Sequence, residues 1–274
     1  DCAALQLRLL NESPVSVWPD VTHLWLDGES LPKECDPLFK RWQKAGQRTP
    51  EVVWARLVKA ADGGDDRIIP YLRTLLPAKL QYLGDKWKQV LEEPALVSRQ
   101  KFLPLKHPWE REILTFGLKK LVWKKPDQAL AVWARYEMDP HFTKAQRIDV
   151  ARNFAIALAS KDDSRAAKFL AMVPVELKDD LFLQWQITWY LRQQQWPRVI
   201  EVLNELPEET RKDDSWQYWL ARAYEQSGKT EQSKQMLTAL AATRGYYGFM
   251  AAAKLGLPPS LAHKPVPVTK EQYQ

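Results

Sequence analysis

Cysteine and glycine are scarce in this chain of 274 residues, which holds two cysteines, Cys2 and Cys35, and ten glycines. Cysteines so far apart make neither a Cys-x-x-Cys redox pair nor a metal-ligand cluster. Ten glycines are few for a fold of tight hairpins, and no glycine-rich phosphate loop or GxSxG elbow occurs among them. No run of about 20 apolar residues is present, so no segment reads as a membrane span. The opening, DCAALQLRLL, lacks a basic start before a long apolar stretch and does not read as a signal peptide. Without an initiator methionine before Cys2, the chain reads as processed or cut, and the missing leader leaves its compartment open. Charge is plentiful in both signs. Forty Lys+Arg against 34 Asp+Glu leaves a formal +6, which permits an anionic partner without demanding one.

What the chain has instead is tryptophan and helix formers. Thirteen Trp accompany nine Tyr and eight Phe, and the 45% hydrophobic and 27% charged fractions exclude a disordered chain. Ala, Leu, Lys, Gln, Glu and Arg dominate while alternating β-branched runs are missing, which predicts an all-α protein. Asp36-Pro37, Thr49-Pro50-Glu51 and His107-Pro108-Trp109-Glu110 each place proline in a first helical turn, where its missing N–H costs nothing. Asp36 and Thr49 are the expected caps, and Gly46, Gly63-Gly64 and Gly228 the expected helix ends. Helices are predicted at 17–27, 37–45, 50–61, 66–75, 78–92, 108–123, 126–136, 144–159, 163–171, 179–194, 196–205, 214–226, 230–242 and 246–255.

The C-terminal half repeats itself. Trp185, Trp189, Tyr190 and Leu203 belong to a helical pair that recurs 34 residues later, carrying Trp185 to Trp219, Tyr190 to Tyr224 and Leu203 to Leu237. Helical hairpins of that period are amphipathic on both helices and bury their apolar faces only by stacking on neighbours. The expected fold is therefore a tetratricopeptide-like α-superhelix over residues 1–256, one continuous solenoid, with 94–106 a second weak point beside the tail. Four prolines between 258 and 267 end the helical period, so 257–274 reads as a linker.

Chemistry-bearing patterns are sparse. The four histidines, at 23, 107, 141 and 263, form no close pair, and no metal or other cofactor is expected. His107 reads as part of a helix start and His263 as part of the tail. Asp65-Asp66, Asp162-Asp163, Asp179-Asp180 and Asp213-Asp214 fall at helix openings, where free N–H groups favour the ionised form, and no catalytic residue is assigned among them. Basic groups beside aromatic ones form the candidate binding surface: Lys86 and Lys88 around Trp87, Lys119, Lys120, Lys124 and Lys125 around Trp123, and Arg198 beside Trp196, with Lys40-Arg41-Trp42 similar. Trp123, Trp133, Trp185, Trp189 and Trp219 read as packing residues within hairpins. Nucleic acid is disfavoured as a partner because acidic residues are interleaved throughout. On spacing alone, Cys2 and Cys35 are either two reduced thiols or one disulfide.

Cys2 with LQLRLLNE, the run His23 to Gly28, Cys35-Asp36-Pro37-Leu38-Phe39 with Trp42, the stretch Asp214 to Ala223, and Arg244 to Gly256 together resemble the N-terminal helical domain of the periplasmic soluble lytic murein transglycosylases. The resemblance implies a bacterial periplasmic setting, a ring-forming superhelix, and a disulfide between Cys2 and Cys35. It implies peptidoglycan glycan strands or stem peptides as partners, together with peripheral association with the cell envelope. In the family, a separate downstream lysozyme-like domain cleaves the glycan between N-acetylmuramic acid and N-acetylglucosamine, leaving an anhydro-sugar end, with one glutamic acid as acid and base. The Glu-Ser, GLMQ-type and AYNAG-type motifs of that domain are not found together in this chain. The expected role is a non-catalytic scaffold that guides substrate to that domain. The alternative is a tetratricopeptide-like protein–protein scaffold.

Overall fold

The computed structural model describes residues 2–261, all of whose regular elements are helical. Residues 262–274 lie outside the described residues, and with them most of the expected linker and His263. No helix among the described residues is long and apolar enough to cross a membrane. The fold is all-α, a succession of paired helices, and its contacts divide the described residues into two compact units, one up to Val150 and the other from Ala151.

The first unit opens with α1 (Cys2–Asn11), α2 (Pro14–Trp25), α3 (Asp36–Lys44) and α4 (Pro50–Ala61). It continues with α5 (Ile69–Leu75), α6 (Gln81–Glu92), α7 (Pro108–Lys124) and α8 (Pro126–Trp133), and the division falls inside α9 (Lys144–Ser160). The starts follow the proline logic. Thr49 caps α4 by accepting the Val52 N–H, and His107 caps α7 by accepting the Trp109 N–H while Glu110 reaches back to the backbone N–H groups of Lys106 and His107. Asp36 is not a cap. It is the first residue of α3, and Cys35 occupies the cap position without a side-chain bond.

Aromatic rings fill this unit. Trp25 lies 5.2 Å from Trp42, Trp54 stacks on Trp109 at 4.5 Å and meets Trp87 edge-on at 5.1 Å, and Trp87 adjoins Phe116 at 5.0 Å. α7 is buried all round from Ile113 to Leu118. At its centre, a Cβ on Gly117 would lie 2.4 Å from a methyl of Val97 and 2.7 Å from one of Val90. The short turn Pro94–Ser98 is thereby packed onto α6 and α7, with Val97 and Leu103 buried. The segment 94–106 is therefore no weak point, because Val97 fills the space that Gly117 leaves.

The second unit contains α10 (Ala166–Met172), α11 (Asp180–Arg192), α12 (Trp196–Glu205) and α13 (Glu208–Arg211), then α14 (Asp214–Gln226), α15 (Thr230–Ala241) and α16 (Tyr246–Leu255). α11 and α12 start 34 residues before α14 and α15, and so do the caps, since the Asp179 carboxylate accepts the Phe182 N–H and Asp213 accepts the Ser215 N–H. Even the turns correspond. Gln194 and Gly228 both take left-handed backbone conformations, and in each turn the following N–H donates five residues back, Gln195 to Tyr190 O and Lys229 to Tyr224 O. Glutamine tolerates φ +52° less well than glycine. Gln194→Gly is therefore expected to stabilise the unit by about 0.5–1 kcal/mol after the added freedom of the unfolded chain is deducted. Urea unfolding of the variant checks this.

Aliphatic residues make the centre of the repeat interior, and the half-buried rings of Tyr190, Trp219 and Tyr224 pack against it. Ile187, Val199, Val202, Leu203, Leu206 and Leu220 fill it between the pairs, and Ala221, Leu237, Leu240, Ala251 and Ala252 continue it. Trp189 is buried, whereas Trp185, Trp219, Tyr190 and Tyr224 are half-buried. Two large rings at helical spacing exceed the space that closely packed alanine-lined helices leave, so Trp219 covers the edge of both clusters instead. Trp133 is fully buried, whereas Trp123 is 44% exposed.

Candidate functional site

The expected basic surface is largely spent on local pairs. The Lys119 ammonium lies 2.9 Å from the Asp149 carboxylate and 3.1 Å from that of Asp62. Burial alone would lower its pKa, but those two carboxylates outweigh the burial and raise it. Lys120 reaches Asp62 and lies over the Phe116 ring, Lys88 pairs with Glu92, and Lys86 donates to the Phe102 carbonyl above the Phe102 ring. Arg198, in the second unit, pairs with Glu201 at 2.7 Å. Lys124 and Lys125 are exposed at the end of α7. These groups do not form one open cationic face, because acids pair with four of the seven, Lys119 and Lys120 with acids from distant stretches of chain and Lys88 and Arg198 with acids on their own helices.

The structure offers a different site, in the first unit. A cavity of about 390 Å³ opens among α2, the loop after it, α3, α4 and α5. Trp25, Phe39, Trp42 and Tyr71 supply its aromatic wall, Lys40, Arg48 and Arg56 its cations, and Asp36 its one acid. Arg56 comes from α4, on the same face as Val53, Trp54, Leu57 and Ala60, all buried. Its guanidinium stands 4.6 Å from the centre of the Trp25 ring and donates from Nη2 to the Glu29 carbonyl at 2.7 Å.

Glycine makes that last contact available. Gly28 takes φ +84°, and a Cβ there would lie 2.9 Å from Lys59 Cβ, so only glycine lets the 26–31 loop lie against α4. Asp65 N–H then donates to Gly28 O at 3.1 Å, closing the loop onto the turn before α5. Below the cavity, Trp42 is fully buried and its indole N–H donates to Thr22 Oγ1 at 2.9 Å.

Arg56 is the unusual member. It is only 6% exposed, and its Nε has no hydrogen-bond partner. Burial lowers its pKa, with Tyr71 and Asp27 opposing that only through space. Of these residues the sequence pattern marked Lys40 and Trp42. Arg48, Arg56, Tyr71 and Trp25 were missed, since they come together only through tertiary packing.

The carboxylates behave as helix-opening acids. Hydrogen bonds from Arg67, Arg165 and Ser215 hold Asp65, Asp163 and Asp213, respectively, below the usual carboxylate range. Glu112 goes the other way. Burial raises it, against the Trp54 indole N–H donating to it at 2.8 Å. Two bare Glu-Ser pairs do occur, Glu12-Ser13 and Glu29-Ser30, and both are exposed. Glu12 is ion-paired with Arg8, which lowers its pKa, the reverse of what a proton donor needs.

Disulfide Cys2–Cys35 joins α1 to the turn before α3, with 5.3 Å between the Cα atoms. It is the bond that the family resemblance implied.

No family model matches the chain. The soluble lytic murein transglycosylase of Salmonella typhimurium is 24% identical over 258 residues, covering 88% of this chain and 38% of that protein. The enzyme of the same name from Escherichia coli K12 is 21% identical over 240 residues, covering 87% of this chain and 37% of that protein. The crystal structure of an inactive mutant of the lytic transglycosylase Slt from Pseudomonas aeruginosa matches 98% of this chain and 44% of its own, at 27% identity and a TM-score of 0.87. The 70-kDa soluble lytic transglycosylase of Escherichia coli shares the fold, at a TM-score of 0.67 and 20% identity, and has also been solved in complex with bulgecin A. The chain spans well under half the length of the proteins it matches. It is similar to the soluble lytic murein transglycosylases over most of its own length and over 37% to 44% of theirs.

Proposed function

We propose that this chain is a non-catalytic helical part of a bacterial lytic transglycosylase, which holds peptidoglycan strands or their stem peptides in the periplasm while a lysozyme-like domain outside these residues cleaves the glycan. The observation that carries the reading is the match of 98% of this chain to 44% of the Pseudomonas enzyme at a TM-score of 0.87. The acids support it. Cleaving a glycosidic bond needs a proton donor kept neutral in an apolar cleft, and Asp65, Asp163 and Asp213 are held below the usual carboxylate range.

Incubated with intact murein sacculi, the purified chain is expected to release no anhydro-muropeptides above a buffer control, as read by mass spectrometry. Products that disappear in Glu112→Gln would overturn the reading, since Glu112 is the carboxyl that burial raises. Sedimentation of the chain with sacculi, weakened by salt, is the expected sign of strand holding. Retention by a partner enzyme and not by sacculi would favour a protein–protein scaffold.

A further inference from the structure

The cavity among α2–α5 surrounds a buried cation that has no carboxylate at ion-pair distance among the described residues, Asp27 acting on it only through space. We infer that it is a binding site for one carboxylate carried on a sugar ring or a short peptide. Murein presents that group both on N-acetylmuramic acid and at the ends of its peptides. The choice of these two sources rests on the proposed function, whereas the carboxylate does not.

A guanidinium taken out of water is costly unless its donors are paired, preferably with an anion. Arg56 is 6% exposed and, among the described residues, has the Glu29 carbonyl as a partner but no carboxylate. Its stacking on Trp25 offsets part of that cost and also holds the fork in place. Lys40 and Arg48 on the same wall have no ion pair among the described residues either. Three cations against Asp36 leave the wall with a net charge of +2.

Both acidic partners and solvent could have neutralised these groups, as acids neutralise Lys119 and Lys120 elsewhere in the unit. Here no acid does. A planar guanidinium and a carboxylate match in geometry, and the flat rings of Trp25, Phe39 and Tyr71 suit the apolar face of a sugar or a peptide side chain. A cavity of about 390 Å³ has room for one sugar ring or a dipeptide.

The test uses the whole chain and pairs of probes that differ in the carboxylate. N-acetylmuramic acid is compared with N-acetylglucosamine, and N-acetyl-D-alanyl-D-alanine with its C-terminal amide, by calorimetry and saturation-transfer NMR. Sodium acetate tests the bare group. At least one carboxylate of the two pairs is expected to bind about tenfold or more tightly than its neutral counterpart, and the pair that responds identifies the source. Lys40→Ala/Arg48→Ala, which alters exposed and half-buried positions, is expected to lose about tenfold in affinity with an unchanged melting temperature. Arg56→Lys, which keeps the charge without the fork, is expected to weaken binding by a similar factor.

Acetate binding without either murein fragment keeps the carboxylate site and counts against the proposed function. Equal binding of charged and neutral probes overturns the inference. So does no binding by any of the three carboxylates, or full affinity in the double variant.

Discussion

Trp42→Ala is expected to destabilise the first unit by about 3–5 kcal/mol, the usual cost of emptying a fully buried aromatic site. The ring has no exposed surface, lies 5.2 Å from Trp25 and 6.3 Å from Phe39, and donates its indole N–H to Thr22. Removing it leaves a void and an unpaired hydroxyl acceptor, and withdraws the support of Trp25, on which Arg56 rests. Against a typical total of about 5–15 kcal/mol, that is a large fraction of domain stability. Urea unfolding, followed by circular dichroism, measures the change. Trp123→Ala, at a 44% exposed position, is the control and is expected to cost well under 1 kcal/mol. A loss at Trp42 no larger than the control would show that the cavity floor is not part of the core.

Reducing the Cys2–Cys35 bond is expected to cost about 3–4 kcal/mol and to lower Tm by roughly 6–16 °C. The bond closes a loop of sequence separation 33, and releasing that loop enlarges the unfolded ensemble. The folded side loses as well. α1 has ten residues, buries Cys2, Leu5 and Leu9, and leaves Leu7 and Leu10 exposed, so its own helical tendency is marginal without a tether. The hydrogen bond from Gln6 Nε2 to Glu34 O is a second link, but an exposed one. Calorimetric scans with and without reductant measure the shift, and Cys2→Ala/Cys35→Ala should reproduce it. Thiol titration of the untreated chain is expected to find no free sulfhydryl. An unchanged Tm would mean that packing alone holds α1.

Much of the fold was legible because its signals are local. Proline in first turns, Thr49 and the paired aspartates as caps, and glycine at helix ends act over two to five residues, and the helices follow them closely. The repeat was visible for the same reason, since each hairpin carries its own caps and its own left-handed turn at Gln194 or Gly228. Two helices were missed. α1 has no proline in its first turn, and α13 is a single turn between Pro207 and the Asp213 cap.

The candidate site was barely legible. The rule that lysines beside tryptophan mark a binding face failed at Lys119 because Asp62, 57 residues earlier, and Asp149, 30 residues later, both reach it. Trp123, read as a packing ring, is 44% exposed, while Trp25 and Trp42 carry the wall of the cavity.

By itself, then, the sequence determined the helical class, the hairpin period and the family likeness, all of which rest on side-chain patterns and backbone bonds between near neighbours. The tertiary structure alone decided which charges remain unpaired. An ion pair depends on distance in space, and the acids that cancel Lys119, like the glycine turn that brings Glu29 to Arg56, come from distant stretches of chain. Arg56 has no acid at ion-pair distance among the described residues, and that shows only once α2, α3, α4 and α5 have closed around it.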